Sequence, residues 1–355
     1  MNFIPKALLL SCLLGSVIIS ATIATKATDE DVNICMGHEE KASWWSSRPK
    51  CDGLKRKAIV HLPPLPDSGE KPKLPLVINI HALASFDLAQ QMYTNFDEIA
   101  DEEKFVVVYP NGYAPARVGT PLPGVGFTFN AGGCCADACH EPIDDIGFFR
   151  KLVDHIKTEM PKDHNFEIDT QRIYATGMSN GGFMTNRVAC EMSDIVAAVA
   201  PVAGPLMNNT AVSDIPIPFM WKSDPFLCAP GRPVPLMHFH SRGDPIVPFE
   251  ENSPLGFPGV ESSSIKTWRS INGVENADPV VTYDEDITKC TSYGHCTSAS
   301  VTLCVMDSKS HCWPGQGVGQ CGSEIGSRYI WDFFKNHTLG GGFLPATASG
   351  GRDEL

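Results

Sequence analysis

The chain has 355 residues, of which 43% are hydrophobic and 19% charged, and it carries a formal net charge of −13 at pH 7. This composition is that of a globular protein and excludes a disordered chain, and the length suffices for one large α/β domain or two ordinary ones. The acidic balance argues against nucleic acid or an anionic membrane as the main partner.

Residues 1–24 have the pattern of a secretory signal peptide. Lys6 precedes an uncharged, mostly apolar run that continues to about Ala24, where small residues follow. An uncleaved anchor helix is the alternative, because the run approaches the ~20 residues that span a bilayer. Serine and threonine residues within the run favour cleavage, and no later segment is apolar enough to span. We therefore expect no membrane span after cleavage.

Short apolar segments alternate with helical patterns from residue 57 onward, after an N-terminal extension over residues 25–56. Their nearly continuous hydrophobicity predicts strands buried on both faces of a mostly parallel sheet. The predicted strands cover residues 57–63, 74–81, 104–110, 172–179, 195–204, 235–244 and 300–308. Helices are predicted over 142–160 and 327–337, the first with an apolar face formed by Ile146, Phe149, Leu152, Val153 and Ile156. This alternation predicts a doubly wound α/β domain, which we place at residues 57–338.

A long loop rich in glycine, proline and cysteine is predicted over residues 113–141, and such a loop is more often functional than accidental. It contains "CCADACH" (134–140), with three of the thirteen cysteines of the chain. Cys12 lies in the predicted signal peptide, and the twelve others form an even set, which predicts a disulfide-braced domain without fixing the pairing. A zinc site at 134–140 is the weaker alternative, because no second CxxC follows at the spacing of a zinc finger. We expect no metal.

The segment "YATGMSNGGFM" (174–184) contains G-x-S-x-G, with Ser179 between a predicted strand and a helical pattern. A serine nucleophile on such a strand-to-helix turn needs small neighbours, and Gly177 and Gly181 tolerate the close chain approach. A glycine-rich turn that happens to contain a serine is the alternative. The turn also leaves the amide of Asn180 at a helix N-terminus, where it can stabilise an oxyanion. We predict that Ser179 is a nucleophile.

A serine nucleophile needs a base and an orienting acid. On a turn of this kind they follow in the order serine, acid, histidine, each after a later strand. Asp244 ends the strand pattern of 235–244, and His311 lies a few residues beyond that of 300–308. A turn-forming aspartate before Pro245 and a surface histidine are the alternatives. The order and the positions predict Asp244 as the acid and His311 as the base.

Other histidines and aspartates compete for these roles. The alternative bases are His238, His240 and His295, and the alternative acids are Asp224 and Asp307. His238 and His240 alternate within a predicted strand, and His240 is better suited to support the Asp244 loop than to act on substrate. None of the other three follows the end of a predicted strand.

A second donor to the oxyanion is expected from the loop after an early strand. "INIHALAS" (78–85) occupies this place. The backbone amide of Leu83, with Ala82 beside it, is the candidate donor.

Together, "LPLVINIHA", "VVVYPNG", "FNAGGCC", "DDIGFF", "IYATGMSNGGFM", "HFHSRGDPIVPF" and "HCWPG" resemble the secreted esterases of the polyhydroxybutyrate depolymerase and feruloyl esterase family. The resemblance runs from about Lys57 to His337. It implies an α/β-hydrolase fold and cleavage of carboxylic esters through an acyl-enzyme, without a metal or an organic cofactor. It also implies the same three reacting residues, namely Ser179, Asp244 and His311.

The chain departs from this family at several positions. Ala82 replaces the glycine that usually follows the early histidine, and Ser310 replaces the glycine common before His311. Some related esterases bridge a cysteine beside the serine to one beside the histidine. Cys312 is present here, but Met178 occupies the other position. These departures bear on the substrate range rather than on the reacting groups.

Two further pairs of residues near the motifs have competing interpretations. Asp144 and Asp145 are better explained as acids at a helix N-terminus, favoured by the helix dipole, than as catalytic groups. Trp313 and Phe129 are candidates to line the substrate pocket, with ordinary packing as an equal alternative.

The tail over residues 339–355 is rich in glycine and small residues, which predicts flexibility. Its last four residues, Arg352–Leu355, resemble the K-D-E-L retrieval signal and predict binding to a retrieval receptor of the endoplasmic reticulum. Asn208 in "NNT" and Asn336 in "NHT" are candidate glycosylation sites. We predict a location in the secretory pathway, either outside the cell or in the lumen of the endoplasmic reticulum.

The sequence therefore predicts a serine carboxylic-ester hydrolase acting on feruloyl or acetyl esters of polysaccharide, or on short hydroxyalkanoate esters. A serine peptidase of the same fold and a non-catalytic binding protein of the endoplasmic reticulum are the alternatives. The complete set of reacting residues argues against the binding protein, whereas the RDEL end and Ala82 favour it.

Overall fold

A computed structural model of the chain describes residues 26–37, 39–40, 50–51, 53–67, 69–114, 127–132, 138, 143–207, 226–251 and 257–341. Several features discussed above lie outside the described residues and remain predictions. They are the signal peptide, Cys134, Cys135, Cys139, Asn208, Asp224 and the terminal Arg352–Leu355.

Within the described residues, ten strands form one central sheet. They are β1 (Thr28–Cys35), β4 (Lys55–Leu62), β5 (Lys73–Ile80), β6 (Val106–Pro110), β7 (Glu167–Met178), β8 (Ala198–Val202), β9 (Leu236–Ser241), β10 (Pro279–Glu285), β11 (Thr288–Tyr293) and β12 (Val301–Met306). Two short strands, β2 (Glu39–Glu40) and β3 (Lys50–Cys51), pair separately. The order across the large sheet is β1-β4-β6-β5-β7-β8-β9-β12-β11-β10. The six strands from β6 to β12 in that order run parallel, and antiparallel strands flank them on both sides.

Helices cover both faces of the sheet, which explains why its central strands are hydrophobic along their whole length. Every residue of β6, β8 and β9 is buried. Helices α3 (Asp145–Thr158), α4 (Asn180–Glu191) and α5 (Lys266–Ile271) contribute to the apolar core on one face. Helices α2 (Phe96–Glu103) and α6 (Ser327–Phe334) contribute to the core on the other face, and α1 (Asp87–Thr94) follows β5. The predicted doubly wound α/β architecture is confirmed.

All seven predicted strands are present, with ends that differ by a few residues. The predicted helices over 142–160 and 327–337 correspond to α3 and α6. On α3 the buried face includes Phe148, whereas Ile146, predicted for this face, is only half-buried. A 3₁₀ turn at Met160–Lys162 follows α3, and a π-helical turn at Val260–Ile265 precedes α5.

The sequence patterns missed three outer strands, β1, β10 and β11. β1 has the sequence TDEDVNIC, and β10 has PVVTYDE, and most residues of both strands are exposed or half-buried. Neither therefore shows the continuous hydrophobicity by which the central strands were predicted. β1 lies within the predicted N-terminal extension and pairs antiparallel with β4, so part of the extension belongs to the sheet.

Disulfide bonds brace the domain, as predicted. Among the described residues, bonds join Cys190 to Cys228, Cys290 to Cys304 and Cys312 to Cys321, and Cys35 is also disulfide-bonded. Cys290 and Cys304 face each other across the β11–β12 pair. Cys296 is an exception, because it is free and exposed. Within the described part of the chain, no helix combines the length and the apolar character that a membrane crossing requires.

His61 on β4 links the edge strand β1 to helix α2 through carboxylates on both sides. Its Nδ1 lies 2.7 Å from Oδ1 of Asp29 on β1, and its Nε2 lies 3.0 Å from Oδ1 of Asp101 on α2. Asp97 adds a third carboxylate, at 3.6 Å from Nδ1. Burial by itself lowers the pKa of His61, but Asp97, Asp29 and Asp101 together outweigh burial and raise it above 6.5.

This raised pKa makes the contribution of His61 to stability depend on pH. The contribution is fully present below the ordinary pKa of about 6.5 and is lost as the pH rises through the folded-state pKa. We expect Asp29→Asn to lower the free energy of unfolding by up to about 1 kcal/mol at pH 6, and by less at pH 8.5. Urea unfolding at the two pH values measures this difference. An equal loss at both would contradict the charged pairing.

Candidate active site

Ser179 lies on a sharp turn between β7 and α4, as G-x-S-x-G predicts. Its φ of 56° and ψ of −116° fall in a region that residues with a Cβ rarely adopt. Its N–H donates to the carbonyl of Val202 at the end of β8, at 2.9 Å, and its carbonyl accepts from Phe183 N at 2.8 Å. Only 8% of Ser179 is exposed. The surrounding backbone therefore holds the serine in its strained conformation.

Glycines allow this turn to press directly against two neighbouring strands. A Cβ on Gly181 would lie 2.1 Å from the carbonyl oxygen of Ile80, and one on Gly177 would lie 2.6 Å from the same atom. A Cβ on Gly204, just after β8, would lie 2.6 Å from the carbonyl oxygen of Ser179. The motif revealed Gly177 and Gly181, but no sequence signal pointed to Gly204.

Asp244 and His311 meet at a hydrogen bond, although 67 residues separate them in the chain. Nδ1 of His311 lies 2.7 Å from Oδ2 of Asp244. The other carboxylate oxygen, Oδ1, accepts from the backbone N–H groups of Ile246 at 2.8 Å and Val247 at 2.9 Å. The side chain of Asp244 has no exposed surface. These three hydrogen bonds and the complete burial leave the carboxylate little freedom to rotate.

This arrangement fixes the tautomer of His311. A carboxylate oxygen only accepts, so the proton of the neutral imidazole resides on Nδ1 and Nε2 presents a lone pair. Nε2 is buried and has no hydrogen-bond partner among the described residues. A free, desolvated lone pair of this kind suits a general base.

The parallel strands bring the loops of Ser179, Asp244 and His311 to one edge of the sheet. Ser179 follows β7, Asp244 follows β9, and His311 follows β12. In the order β7-β8-β9-β12 these strands are neighbours, and all are parallel. Their carboxyl ends therefore lie at the same edge, where ligand-binding sites of open α/β sheets are found.

The loop after β5, which contains Leu83, is anchored by His81. Gly112 N donates to Nε2 of His81 at 3.0 Å, so Nδ1 carries the proton and donates to the carbonyl of Ala82 at 2.7 Å. Burial lowers the pKa of His81 to about 4, so the ring is neutral near pH 7. Ala84 in the same turn has a φ of 61°, and Leu83 is half-buried. The turn thus contains a residue other than glycine in the left-handed conformation.

The side chain of Asn180 ties the start of α4 to the segment around Phe129. Its Oδ1 accepts from Phe129 N at 2.8 Å, and its Nδ2 donates to the Phe129 carbonyl at 3.0 Å. The backbone N–H of Asn180 is in the first turn of α4, where N–H groups have no partner within the helix. The predicted roles of Asn180 and Leu83 as oxyanion donors remain predictions.

Trp313 and Phe129 occupy the core rather than an open surface. Neither side chain has exposed area. Trp313 donates from Nε1 to Oγ of Ser327 at 2.9 Å, and Phe129 packs against His81, with ring centroids 4.7 Å apart. Packing and hydrogen bonds within the protein account for both, as the alternative interpretation expects, and their contact with substrate remains a prediction.

The competing residues take other positions. His238 and His240 are fully buried in β9, whereas His295 and Asp307 are exposed. Asp144 accepts from Gly147 N at the start of α3, and the buried Asp145 pairs with Arg56 at 2.7 Å. These contacts confirm that the two aspartates have structural roles.

A disulfide and a tyrosine brace the segment that follows His311. Cys312 pairs with Cys321, and the predicted absence of a bridge to the residue beside Ser179 is confirmed. The hydroxyl of Tyr93 on α1 donates to Gly319 O at 2.8 Å and accepts from Trp313 N at 3.1 Å. Sequence reasoning missed Tyr93, because its partners lie more than 200 residues away.

One group of side chains among the described residues has the spacing of metal ligands. The candidate ligand atoms of Asp29, His61 and Asp97 lie within 4.8 Å of one another. Both ring nitrogens of His61 already bond to carboxylates, which favours an ion pair over a metal site. This group is separate from Ser179, Asp244 and His311.

Comparison with known proteins places this geometry in context. No family model matches the chain. A solved acetyl xylan esterase from Aspergillus awamori superposes with a TM-score of 0.52 at 13% identity, covering 79% of this chain and 94% of that one. The chain therefore has the α/β-hydrolase fold.

The chain also has sequence relatives, one named as an esterase and one as a depolymerase. Feruloyl esterase B of Piromyces equi is 27% identical over 292 residues, which cover 80% of this chain and 46% of the relative. Poly(3-hydroxyalkanoate) depolymerase C of Paucimonas lemoignei is 28% identical over 137 residues, covering 39% of this chain and 29% of the relative. The resemblance predicted from the motifs is confirmed, and the chain spans less than half the length of each of these relatives.

The close packing around Ser179 predicts that Gly181→Ala destabilises the protein. The new Cβ would clash with the carbonyl oxygen of Ile80, so the backbone must shift, at a cost of about 1–3 kcal/mol. Gly231→Ala is the matched control, because its Cβ would meet only Oγ of Ser193 at 3.9 Å. We expect the control to stay within about 0.5 kcal/mol of the wild type. Urea unfolding distinguishes the two, and equal stabilities would contradict the packing argument.

Proposed function

We propose that this chain is a serine carboxylic-ester hydrolase that works through an acyl-enzyme. The observation that carries the proposal is the buried hydrogen bond between Asp244 and His311, with Nε2 of His311 left without a partner among the described residues. It lies at the same sheet edge as Ser179, whose strained turn matches that of a nucleophile. The esterase names of the relatives support the same reaction class.

In the proposed mechanism, Oγ of Ser179 attacks the ester carbonyl carbon while Nε2 of His311 takes its proton. Asp244 holds the imidazole and stabilises its charged form. The backbone N–H groups of Asn180 and Leu83 bind the oxyanion of the tetrahedral intermediate. Collapse of this intermediate breaks the bond between the carbonyl carbon and the alcohol oxygen. The alcohol leaves with the proton from Nε2, and the acyl group stays on Ser179. Water, activated by His311, then releases the acid and restores the serine.

The proposed substrates are feruloyl or acetyl esters of polysaccharide, or short hydroxyalkanoate esters. The names of a feruloyl esterase, an acetyl xylan esterase and a poly(3-hydroxyalkanoate) depolymerase among similar proteins support this range. The sequence departures at Ala82 and Ser310 concern the loops beside the reacting groups. A panel of methyl ferulate, acetylated xylan and hydroxybutyrate oligomers would rank the three classes.

The proposed location is the secretory pathway, with retrieval to the endoplasmic reticulum through Arg352–Leu355. Disulfides among the described residues support an oxidising compartment. Asn208 and Asn336 are the proposed glycosylation sites. Asn336 is half-buried, and its amide donates to the carbonyl of Asp332 at 2.8 Å, so a glycan there would replace this bond.

Removing the nucleophile tests the reaction. We expect Ser179→Ala to lower kcat for p-nitrophenyl acetate by at least about 1000-fold, because no attacking oxygen remains. The variant should unfold at a similar urea concentration, which shows that the loss is chemical. Folded wild-type protein that hydrolyses none of the panel esters would contradict the proposed function.

Deleting Arg352–Leu355 tests the proposed retrieval. We expect the truncated protein to accumulate in the medium of a eukaryotic host, because a retrieval receptor needs the free C-terminal tetrapeptide. A variant in which these four residues are replaced by GGSG keeps the length and should be secreted equally. Unchanged intracellular retention of both variants would contradict the proposal.

A further inference from the structure

Two histidines in β9 form a buried pair for which the proposed mechanism has no role. His238 and His240 lie on the same face of the strand, and both are fully buried. Their rings are stacked, with centroids 5.3 Å apart and planes inclined by 4°. Phe249 covers His240, with ring centroids 6.0 Å apart. Burying two imidazoles costs free energy that an apolar pair of the same size would not cost.

The hydrogen bonds of this pair fix both tautomers. Nε2 of His240 lies 2.7 Å from the carbonyl oxygen of Val247, which only accepts, so Nε2 carries the proton. Burial lowers the pKa of His240 to about 4, so the ring is neutral near pH 7 and Nδ1 is an acceptor. Nε2 of His238 lies 3.0 Å from this Nδ1 and therefore donates to it. The two rings thus form a directed chain of donors that ends at Val247.

Val247 is also the residue that holds the carboxylate of Asp244. Its N–H donates to Oδ1 of Asp244 at 2.9 Å, while its carbonyl accepts from His240. Nε2 of His240 lies 3.6 Å from Oδ2 of Asp244, the oxygen that bonds to His311. The histidine pair is therefore joined to the candidate acid through Val247. In addition, Nε2 of His240 lies near Oδ2 of Asp244, the carboxylate oxygen that bonds to His311.

We propose that His240 is a positioning residue that holds Asp244 in register with His311, and that His238 fixes the tautomer of His240. This inference rests on the proposed function, since it assigns a role within the same site. Without the His240 donor, the carbonyl of Val247 loses its buried partner and the turn from Asp244 to Val247 is free to shift. A shift of about 1 Å in a reacting group can cost about 100-fold in rate.

A purely structural role and a positioning role predict different effects of apolar substitutions. If the pair only filled space, leucine at either position would restore dry packing and leave the chemistry of each folded molecule unchanged. If His240 positions Asp244, the loss appears in kcat, and a side chain that returns the donor restores it.

The experiment compares His240→Leu, His240→Gln and His238→Leu by their kcat and KM for p-nitrophenyl acetate. We expect His240→Leu to lower kcat by about 10- to 100-fold with KM within about 2-fold, because the change affects geometry rather than binding. In His240→Gln, the amide nitrogen takes the place of Nε2, so most of kcat should return. His238→Leu should give a smaller loss of kcat. If His240→Leu does not fold, His240→Asn replaces it, because its shorter amide does not reach the carbonyl of Val247.

A buried histidine away from the site is the matched control. His61→Leu removes hydrogen bonds at the β1 edge and should lower the urea midpoint, with wild-type kcat per folded molecule. Folded fractions are determined by circular dichroism for every variant. Wild-type kcat in folded His240→Leu, or a His240→Gln as impaired as His240→Leu, would overturn the proposal.

A measurement without turnover separates this inference from the proposed function. The Nδ1–H proton of His311, bonded to Asp244, should give a downfield proton NMR resonance in the wild type. We expect the resonance to persist in His240→Gln and to broaden or disappear in His240→Leu. The same resonance in all three proteins would overturn the positioning role. If the resonance behaves as expected in the wild type and both variants, but the wild type hydrolyses no ester, only the proposed function is refuted.

Discussion

The conformation of Ser179 is the constraint around which the site is arranged. A positive φ at a residue with a Cβ costs about 1–3 kcal/mol, so it persists only where neighbouring structure determines it. Here the backbone N–H of Ser179 donates to Val202 and its carbonyl accepts from Phe183, and glycines allow the neighbouring strands to approach closely. A Cβ on Gly181 or Gly204 would meet backbone atoms, which cannot move aside as a flexible side chain can. The residue types in this turn therefore follow from steric fit, before any chemistry is considered.

The sheet brings the three candidate reacting residues to one edge, but local hydrogen bonds and a disulfide set their orientation. Parallel strands determine which loops are neighbours, whereas a carboxylate or an imidazole on a loop has rotations that the sheet does not restrict. Asp244 is fixed by two backbone N–H groups of its own turn. The segment after His311 is fixed by the bond between Cys312 and Cys321 and by the contacts of Tyr93 on α1. The hydrogen bond of 2.7 Å that joins the two loops thus connects parts that are already braced separately.

The sequence predicts the parts of this molecule whose signals are local. The central strands are continuously apolar, and the order serine, acid, histidine follows from strand ends, so both could be inferred. The charged β1 has no such pattern, because its place depends on pairing with β4. Phe129 and Trp313 have the residue types of a pocket wall, and only their three-dimensional neighbours show that they are core residues. Gly204 and Tyr93 act through partners distant in the chain, and no spacing in the sequence marks such contacts.

Neutral buried histidines perform the same task on two sides of the site. His81 donates to the carbonyl of Ala82 in the loop that carries Leu83, and His240 donates to the carbonyl of Val247 in the loop that carries Asp244. Burial lowers the pKa of each to about 4, so both rings remain neutral dipoles at the pH where a serine hydrolase needs an unprotonated base. A lysine or arginine in either place would bring a charge into a dry core, and a serine would not span the distance. Imidazole is the side chain that reaches a neighbouring loop, donates one directed proton and stays uncharged, which accounts for its presence in β9 and directly after β5.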